Sequence, residues 1–104
     1  MFVHYINDIR DLIGHTPLLK LNHIFPHENI HIYGKLEYLN PGGSIKDRIG
    51  LQILEDAERA GLLKPGATII EATAGNTGIG LAMAAFEKGY KLQLVIPQKF
   101  SIEK

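Results

Sequence analysis

The chain has 104 residues, and 11 Lys and Arg balance 11 Asp and Glu, so its formal net charge is zero. The absence of Cys excludes disulfides, zinc sites built on thiolates and a thiol nucleophile. Balanced, scattered charge provides no basic stripe that would neutralise phosphates, so we expect no nucleic-acid partner. Apolar residues make up 45% of the chain and charged residues 21%, which predicts one compact domain with a radius of gyration of about 13 Å.

No segment of the sequence has the features of a membrane span or a signal peptide. The longest stretch without charge or strong polarity, residues 78–86, is far shorter than the ~20 residues that cross a bilayer. The first residues lack both a basic region and a long apolar core. We therefore expect a soluble cytoplasmic protein with no membrane partner.

The first third of the chain predicts short elements. Residues 7–13 predict a short helix that Asn7 caps and Gly14 ends, and residues 18–21 predict a strand. From residue 30 the apolar pattern has a period of two, which predicts a half-buried strand that ends at the Asn-Pro-Gly-Gly breaker, residues 40–43. One face of this strand carries Ile30, Ile32, Gly34, Leu36 and Tyr38.

The strongest helix pattern in the sequence begins at Ser44. Ser44 and Asp47 stand three residues apart, as in a capping box, in which the hydroxyl and the carboxylate each accept a hydrogen bond from a backbone N–H of the first turn. Gly61 closes the run. Residues at helical spacing predict an apolar face made of Ile45, Ile49, Ile53, Ala57 and Ala60.

The rest of the chain predicts a strand, a loop, a helix and a second strand. Residues 67–72 predict a buried strand, residues 73–78 a loop, residues 79–88 a helix of small residues that Gly89 ends, and residues 91–96 a strand. Such an order is a βαβ unit. The predicted fold class is therefore α/β, with βαβ units in a three-layer, parallel-sheet architecture.

Two glycine-bearing loops precede helices, at residues 40–48 and 73–78. A helix N-terminus suits a phosphate or carboxylate, because it presents unpaired N–H groups and the positive end of the helix dipole. The glycines of the second loop lack the G-x-G-x-x-G order of dinucleotide-binding loops, and neither loop has the Walker A pattern. The alternative is a tight turn that binds nothing.

Lys46 is the strongest candidate for a catalytic residue in the sequence. It falls in the first helical turn, where the dipole disfavours a cation, and a neutral amine is the form that condenses with an aldehyde. The alternative is that Lys46 pairs with Asp47 or another carboxylate. His23 and His27 stand four apart, but Pro26 between them argues against one helical face, so we expect no metal site.

At these loops the sequence resembles the cysteine synthase/cystathionine β-synthase family, pyridoxal-phosphate (PLP) enzymes of fold type II. The resemblance runs from about residue 7 to residue 104 and is carried by several motifs in order. These are Gly-His-Thr-Pro-Leu at residues 14–18, residues 40–48, residues 71–80, and the tail from residue 96.

The resemblance implies roles for individual residues. Lys46 matches the lysine that forms a Schiff base with the cofactor, and Asn76 matches the asparagine that hydrogen-bonds the ring 3′-oxygen. Thr73, Ala74, Gly75 and Thr77 match the loop that grips the substrate carboxylate. The family position at Ala74 is commonly serine, so one hydroxyl contact is missing here.

The implied reaction is β-replacement of the cysteine synthase type on O-acetylserine or serine, with sulfide or homocysteine as the incoming nucleophile. Lys46 would then act as nucleophile and as base. Cystathionine synthesis from either donor is the first alternative, and a dehydratase-like activity is a weaker one. The family also implies a homodimer.

Some parts of the family pattern are missing from residues 1–104. These are the glycine-rich loop for the cofactor phosphate, the hydroxyl that meets the ring nitrogen, and the second domain. We therefore expect the chain to correspond to the N-terminal portion of such an enzyme and to be inactive alone. A further alternative is a non-catalytic truncated relative that pairs with a full-length subunit.

Overall fold

A computed structural model describes residues 3–24 and 26–99 of the protein. These residues form the strands β1 (Leu18–Lys20), β2 (Tyr33–Lys35), β3 (Thr68–Ala72) and β4 (Lys91–Val95). They also form the α-helices α1 (Lys46–Arg59) and α2 (Asn76–Ala85) and short 3₁₀ helices at Ile9–Leu12, Glu37–Leu39 and Phe86–Lys88. The last part of the resembling tail, residues 100–104, lies outside the described residues.

The strands form two separate pairs. β1 and β2 are antiparallel, with Leu19 opposite Gly34, and backbone hydrogen bonds extend the pairing from Leu21 to Ile32 at one end and from Leu36 to Pro17 at the other. β3 and β4 are parallel, and α2 connects them. The predicted βαβ unit and the α/β class are therefore confirmed.

Several predicted boundaries were wrong. The first helical segment is a 3₁₀ turn, and its cap is Asp8, whose carboxylate accepts a hydrogen bond from the Arg10 backbone N–H at 2.9 Å, rather than Asn7. The strand predicted from residue 30 is regular only over β2, because the chain turns into a 3₁₀ helix at Glu37. Helix α2 begins at Asn76 instead of residue 79, so part of the predicted loop is the first helical turn.

The buried face of α1 also differs from the predicted one. Ile45, Ile49 and Ile53 are exposed, whereas Asp47, Gly50 and Leu54 are buried. The helical period was right and the phase was off by one residue. The reason is the partner, because α1 packs on the small residues of α2, and close approach there requires a glycine rather than an isoleucine.

The core lies between α1 and α2. Leu54, Ala84 and Ala85 form its centre, and Leu51, Leu63, Ile69 and Tyr90 pack against them. Strand β3, predicted to be buried, has one half-covered face, and Ile70 on the other face is 63% exposed. The radius of gyration is 17.4 Å, larger than the predicted value of about 13 Å, because so little of the chain packs around this core.

Candidate active site

Lys46 is the first residue of α1 and its side chain is half-buried. The Ser44 hydroxyl accepts a hydrogen bond from the Lys46 backbone N–H at 3.1 Å, which satisfies one of the free amides of the first turn. Within residues 3–24 and 26–99, no hydrogen bond or ion pair is formed by the Lys46 ammonium group. The amine is thus not tied to a carboxylate in this part of the chain.

The helices that follow the two glycine-bearing loops, α1 and α2, cross in close contact. A Cβ on Gly50 would lie 2.6 Å from the backbone nitrogen of Leu81 and closer still to the Gly80 carbonyl. A Cβ on Gly80 would collide with the Lys46 carbonyl oxygen. Asn76 begins α2 one turn before Gly80. The crossing therefore packs the first turn of α1 against Gly80, one turn into α2.

The loop that leads into α2 is shaped by local hydrogen bonds. The Gly75 backbone N–H donates to the Thr73 hydroxyl at 3.2 Å, and the Gly78 N–H donates to the Gly75 carbonyl at 3.1 Å. Thr73, Ala74 and Thr77 are half-buried, whereas Gly75 and Asn76 are exposed. Among the described residues, the Asn76 and Thr77 N–H groups have no acceptor one turn earlier, so the start of α2 presents these two donors to an anion.

The loop before Lys46 is held by a cluster of polar side chains that sequence reasoning did not single out. Asn40 is buried and contacts Gly14, Glu37 and Ser44. Arg48 donates to Glu37 at 3.0 Å and to the Gly14 carbonyl at 2.8 Å. The Arg48 guanidinium holds the pKa of the Glu37 carboxyl below its usual value. The signal in the sequence was the run of polar residues inside the motif at residues 40–48.

The predicted capping box at Ser44 and Asp47 is only half present. The Ser44 hydroxyl accepts from the Lys46 N–H, but the N-cap residue is Ile45 rather than Ser44. The Asp47 carboxylate accepts from the Gly42 N–H instead of reaching back to Ser44. Asp47 is fully buried, and its Oδ1 has no hydrogen-bond partner among the described residues. The carboxylate therefore joins the glycine turn to α1.

Other candidate features lie away from these loops. Among residues 3–24 and 26–99, no three His, Asp or Glu side chains are grouped so that they could hold a metal ion. In the same residues, no helix is long and apolar enough to span a bilayer. An open apolar groove of about 440 Å³ lies between the first 3₁₀ turn and the end of α2, and its lining includes Ile6, Ile9, Met83 and Phe86.

Comparison with known proteins identifies the family. A family model described as "Pyridoxal-phosphate dependent enzyme" matches residues 9–104. The chain belongs to this family. The resemblance noted from the motifs is therefore confirmed, and pyridoxal phosphate is the cofactor of the family.

Within this PLP family, the chain is similar in sequence to cystathionine beta-synthases and cysteine synthases. The chain is 61% identical to a cystathionine beta-synthase of Apis mellifera over 99 residues, which cover 93% of this chain and 20% of the relative. It is 57% identical to a cysteine synthase of a Flavobacterium species over 94 residues, which cover 90% of this chain and 30% of the relative. The chain thus spans about a fifth to a third of the length of these curated relatives.

A solved structure shares the fold. The hydrogen sulfide-producing enzyme of Fusobacterium nucleatum superposes with a TM-score of 0.87 and 53% sequence identity, over 97% of this chain and 33% of that chain. This likeness supports the fold type II assignment made from the motifs.

The residues at the two helix N-termini fit pyridoxal phosphate by their chemistry. A primary amine is the group that condenses with an aldehyde, and the Lys46 amine is half-buried and unpaired among the described residues. The exposed Asn76 side chain can donate a hydrogen bond to a ring oxygen. The donor set is therefore suited to the cofactor.

Proposed function

We propose that this chain supplies the reactive lysine and the substrate-carboxylate loop of a PLP-dependent β-replacement enzyme of the cysteine synthase type. The observation that supports the proposal is the crossing at Gly50 and Gly80, where the Lys46 backbone packs against Gly80, one turn after Asn76. The relatives named as cystathionine beta-synthase and cysteine synthase support this reaction class. The donor substrate is O-acetylserine or serine, and the acceptor is sulfide or homocysteine.

In this proposal each residue has a defined task. When bound, pyridoxal phosphate withdraws electrons from the α-carbon of the substrate. Lys46 Nζ would hold the cofactor through its aldehyde, and the same nitrogen would accept the proton from the α-carbon of the substrate. Asn76 donates a hydrogen bond to the ring oxygen of the cofactor.

The loop at residues 73–77 binds the carboxylate of the substrate in this proposal. Thr77 contributes its backbone N–H, and Thr73 and Thr77 contribute hydroxyls, while Gly75, whose N–H donates to the Thr73 hydroxyl, lets the carboxylate approach the backbone closely. Ala74 contributes only its backbone, because it has no side-chain donor. The loop therefore orients the amino acid with one hydroxyl contact fewer than a serine at this position would give.

The proposal also covers the oligomeric state and the cellular location of the protein. We propose a homodimer in the cytoplasm, as the family resemblance implies. The assignment of residues 1–104 as the N-terminal portion of the enzyme, and the lack of turnover by these residues alone, remain predictions.

Borohydride trapping tests the role of Lys46. The 104-residue chain is incubated with pyridoxal phosphate, reduced with borohydride, digested and mapped by mass spectrometry. We expect the pyridoxyl label to be concentrated on Lys46, and Lys46→Ala to remove it. Lys64→Ala is the matched control, because Lys64 is an exposed lysine far from both helix N-termini in the sequence. A label spread evenly over the lysines would contradict the proposal.

A further inference from the structure

We propose that Asn40 is a positioning residue for Lys46 and acts through the carbonyl of Ser44. This inference rests on the proposed role of Lys46. Asn40 lies six residues before Lys46 and just after the 3₁₀ helix Glu37–Leu39, and the glycine turn separates the two residues along the chain.

The Asn40 carboxamide uses both of its ends. It is 4% exposed, its Oδ1 accepts from the Gly14 N–H at 2.8 Å, and its Nδ2 donates to the Ser44 carbonyl at 3.0 Å. Nδ2 also lies 2.9 Å from the Glu37 carbonyl and contacts the Glu37 carboxylate. Oδ1 thus faces a donor and Nδ2 faces acceptors, which fixes the orientation of the amide and requires a side chain with both functions.

The contact with Ser44 leads directly to Lys46. Ser44 receives the Asn40 hydrogen bond on its carbonyl, and its hydroxyl accepts from the Lys46 N–H. Among the described residues, three other hydrogen bonds hold the intervening turn: Gly43 N–H to the Asn40 carbonyl at 2.8 Å, Gly42 N–H to Asp47, and Asp47 N–H to the Ser44 carbonyl at 3.4 Å. The Asn40 hydrogen bond to Ser44 is the shorter of the two on that carbonyl, so Asn40 positions the residue whose hydroxyl accepts from Lys46.

The substitution Asn40→Asp distinguishes a hydrogen-bonding role of Asn40 from a role in packing alone. In Asn40→Asp the acceptor for Gly14 is kept, but the donor becomes an oxygen opposite the Ser44 carbonyl and the Glu37 carboxylate. That substitution removes the Asn40 hydrogen bond to Ser44, places a second carboxylate beside Glu37, and leaves side-chain size nearly unchanged. Asn29→Asp is the matched control, because Asn29 is exposed and its side chain makes no hydrogen bond among the described residues.

The experiment compares labelling of Lys46 with labelling of Lys64 in the same sample. Wild type, Asn40→Asp and Asn29→Asp are treated with pyridoxal and cyanoborohydride for increasing times, at a temperature where circular dichroism shows each to be folded. We expect the rate ratio of Lys46 to Lys64 to fall about fivefold to tenfold in Asn40→Asp, the effect of losing a part-buried hydrogen bond, and to stay unchanged in Asn29→Asp. A folded Asn40→Asp that keeps the wild-type ratio would overturn the inference.

A second measurement decides the matter if Asn40→Asp does not fold. In the wild-type chain, the NMR signals of the Asn40 carboxamide should shift when pyridoxal is added, and should stay in place in Lys46→Ala. Unmoved Asn40 signals in the wild type would overturn the inference. Failure of the proposed function is distinguishable, since the wild type itself would then show no preference for Lys46 over Lys64.

Discussion

Side chains, more than backbone pairing, hold the segment around Lys46. Arg48, on α1, reaches back to the Gly14 carbonyl and to Glu37, and it fills the space that a Cβ on Gly14 would need. Gly14 has a φ of +85°, a conformation that favours glycine. Each of these polar groups has few substitutes, because a buried donor or acceptor that loses its partner costs free energy of unfolding.

The carboxylate of Asp8 makes stability sensitive to acid. Hydrogen bonds from the Arg10 guanidinium hold the pKa of Asp8 at about 2, below its usual 3.8. A depressed folded-state pKa adds stability that is present above the unfolded value and is lost as the pH falls from about 4 through about 2. We expect the melting temperature of the wild type to exceed that of Asp8→Asn at pH 6 and to converge with it near pH 2.

The control for this titration is Asp11→Asn, because the Asp11 carboxylate is exposed and makes no hydrogen bond among the described residues. The pKa of Glu58 is also lowered, by the hydrogen bond from Lys88, so part of the acid loss remains in Asp8→Asn. Thermal melts followed by circular dichroism from pH 6 to pH 2 make the comparison. A difference between wild type and Asp8→Asn that does not change with pH would contradict the prediction.

At the scale of elements, the crossing of α1 and α2 depends on two glycines. A methyl group on Gly50 or Gly80 would meet backbone atoms of the other helix, which cannot move aside as a flexible side chain would. Alanine favours a helix over glycine by up to about 1 kcal/mol, but overpacking typically costs about 1–3 kcal/mol. The net change in the free energy of unfolding is therefore destabilising. We expect Gly50→Ala and Gly80→Ala to lower the free energy of unfolding in urea by about 1–2 kcal/mol.

Gly34→Ala is the control for the crossing, since a Cβ at Gly34 meets nothing within 4 Å. We expect a change of less than about 0.5 kcal/mol there, as for most substitutions away from packed sites. The same crossing variants should also lose selective labelling of Lys46, because they separate the two helix N-termini. Stable Gly50→Ala protein with unchanged labelling would show that the close approach is dispensable.

The helices also show why sequence predicts a period better than a phase. In α1, Leu54 is 1% exposed and its neighbour Ile53 is 48% exposed, although Ile53 belongs to the more obvious apolar pattern. The partner helix decides which side is buried, and a pattern within one helix contains no information about that partner. We expect Leu54→Ala to lower the free energy of unfolding by about 2–5 kcal/mol and Ile53→Ala by less than about 1 kcal/mol, as measured by urea unfolding.

Considered as a whole, the molecule was predicted unevenly. Local signals predicted the order of strands and helices and the motifs around Lys46 and Asn76. These signals were the apolar periodicity, the glycine breakers and the capping-box pattern at Ser44. The contacts of Asn40, Asp47 and Arg48 did not, because each depends on a partner outside its own element. The radius of gyration was also predicted too small, because an estimate from chain length assumes that the apolar residues pack into one core.

The last prediction concerns the surface of the whole chain. Its accessible area is 8084 Å², whereas a compact monomer of 11.5 kDa exposes roughly 5,800 Å². The excess exceeds what one partner buries in a typical interface, about 800 Å², and it includes large side chains such as Ile70 and Phe86. With zero net charge there is little repulsion between copies. We therefore expect concentration-dependent association and binding of a hydrophobic dye.

Sedimentation velocity over a range of concentrations measures this association, and added salt should not weaken it, because burial of apolar surface rather than charge pairing drives it. Dye fluorescence should fall as the associated fraction rises, because the same exposed apolar side chains bind the dye and form the contact between copies. A monomer at every concentration, with weak dye binding and a radius of gyration near 13 Å by X-ray scattering, would mean that the exposed apolar side chains pack within one chain in solution.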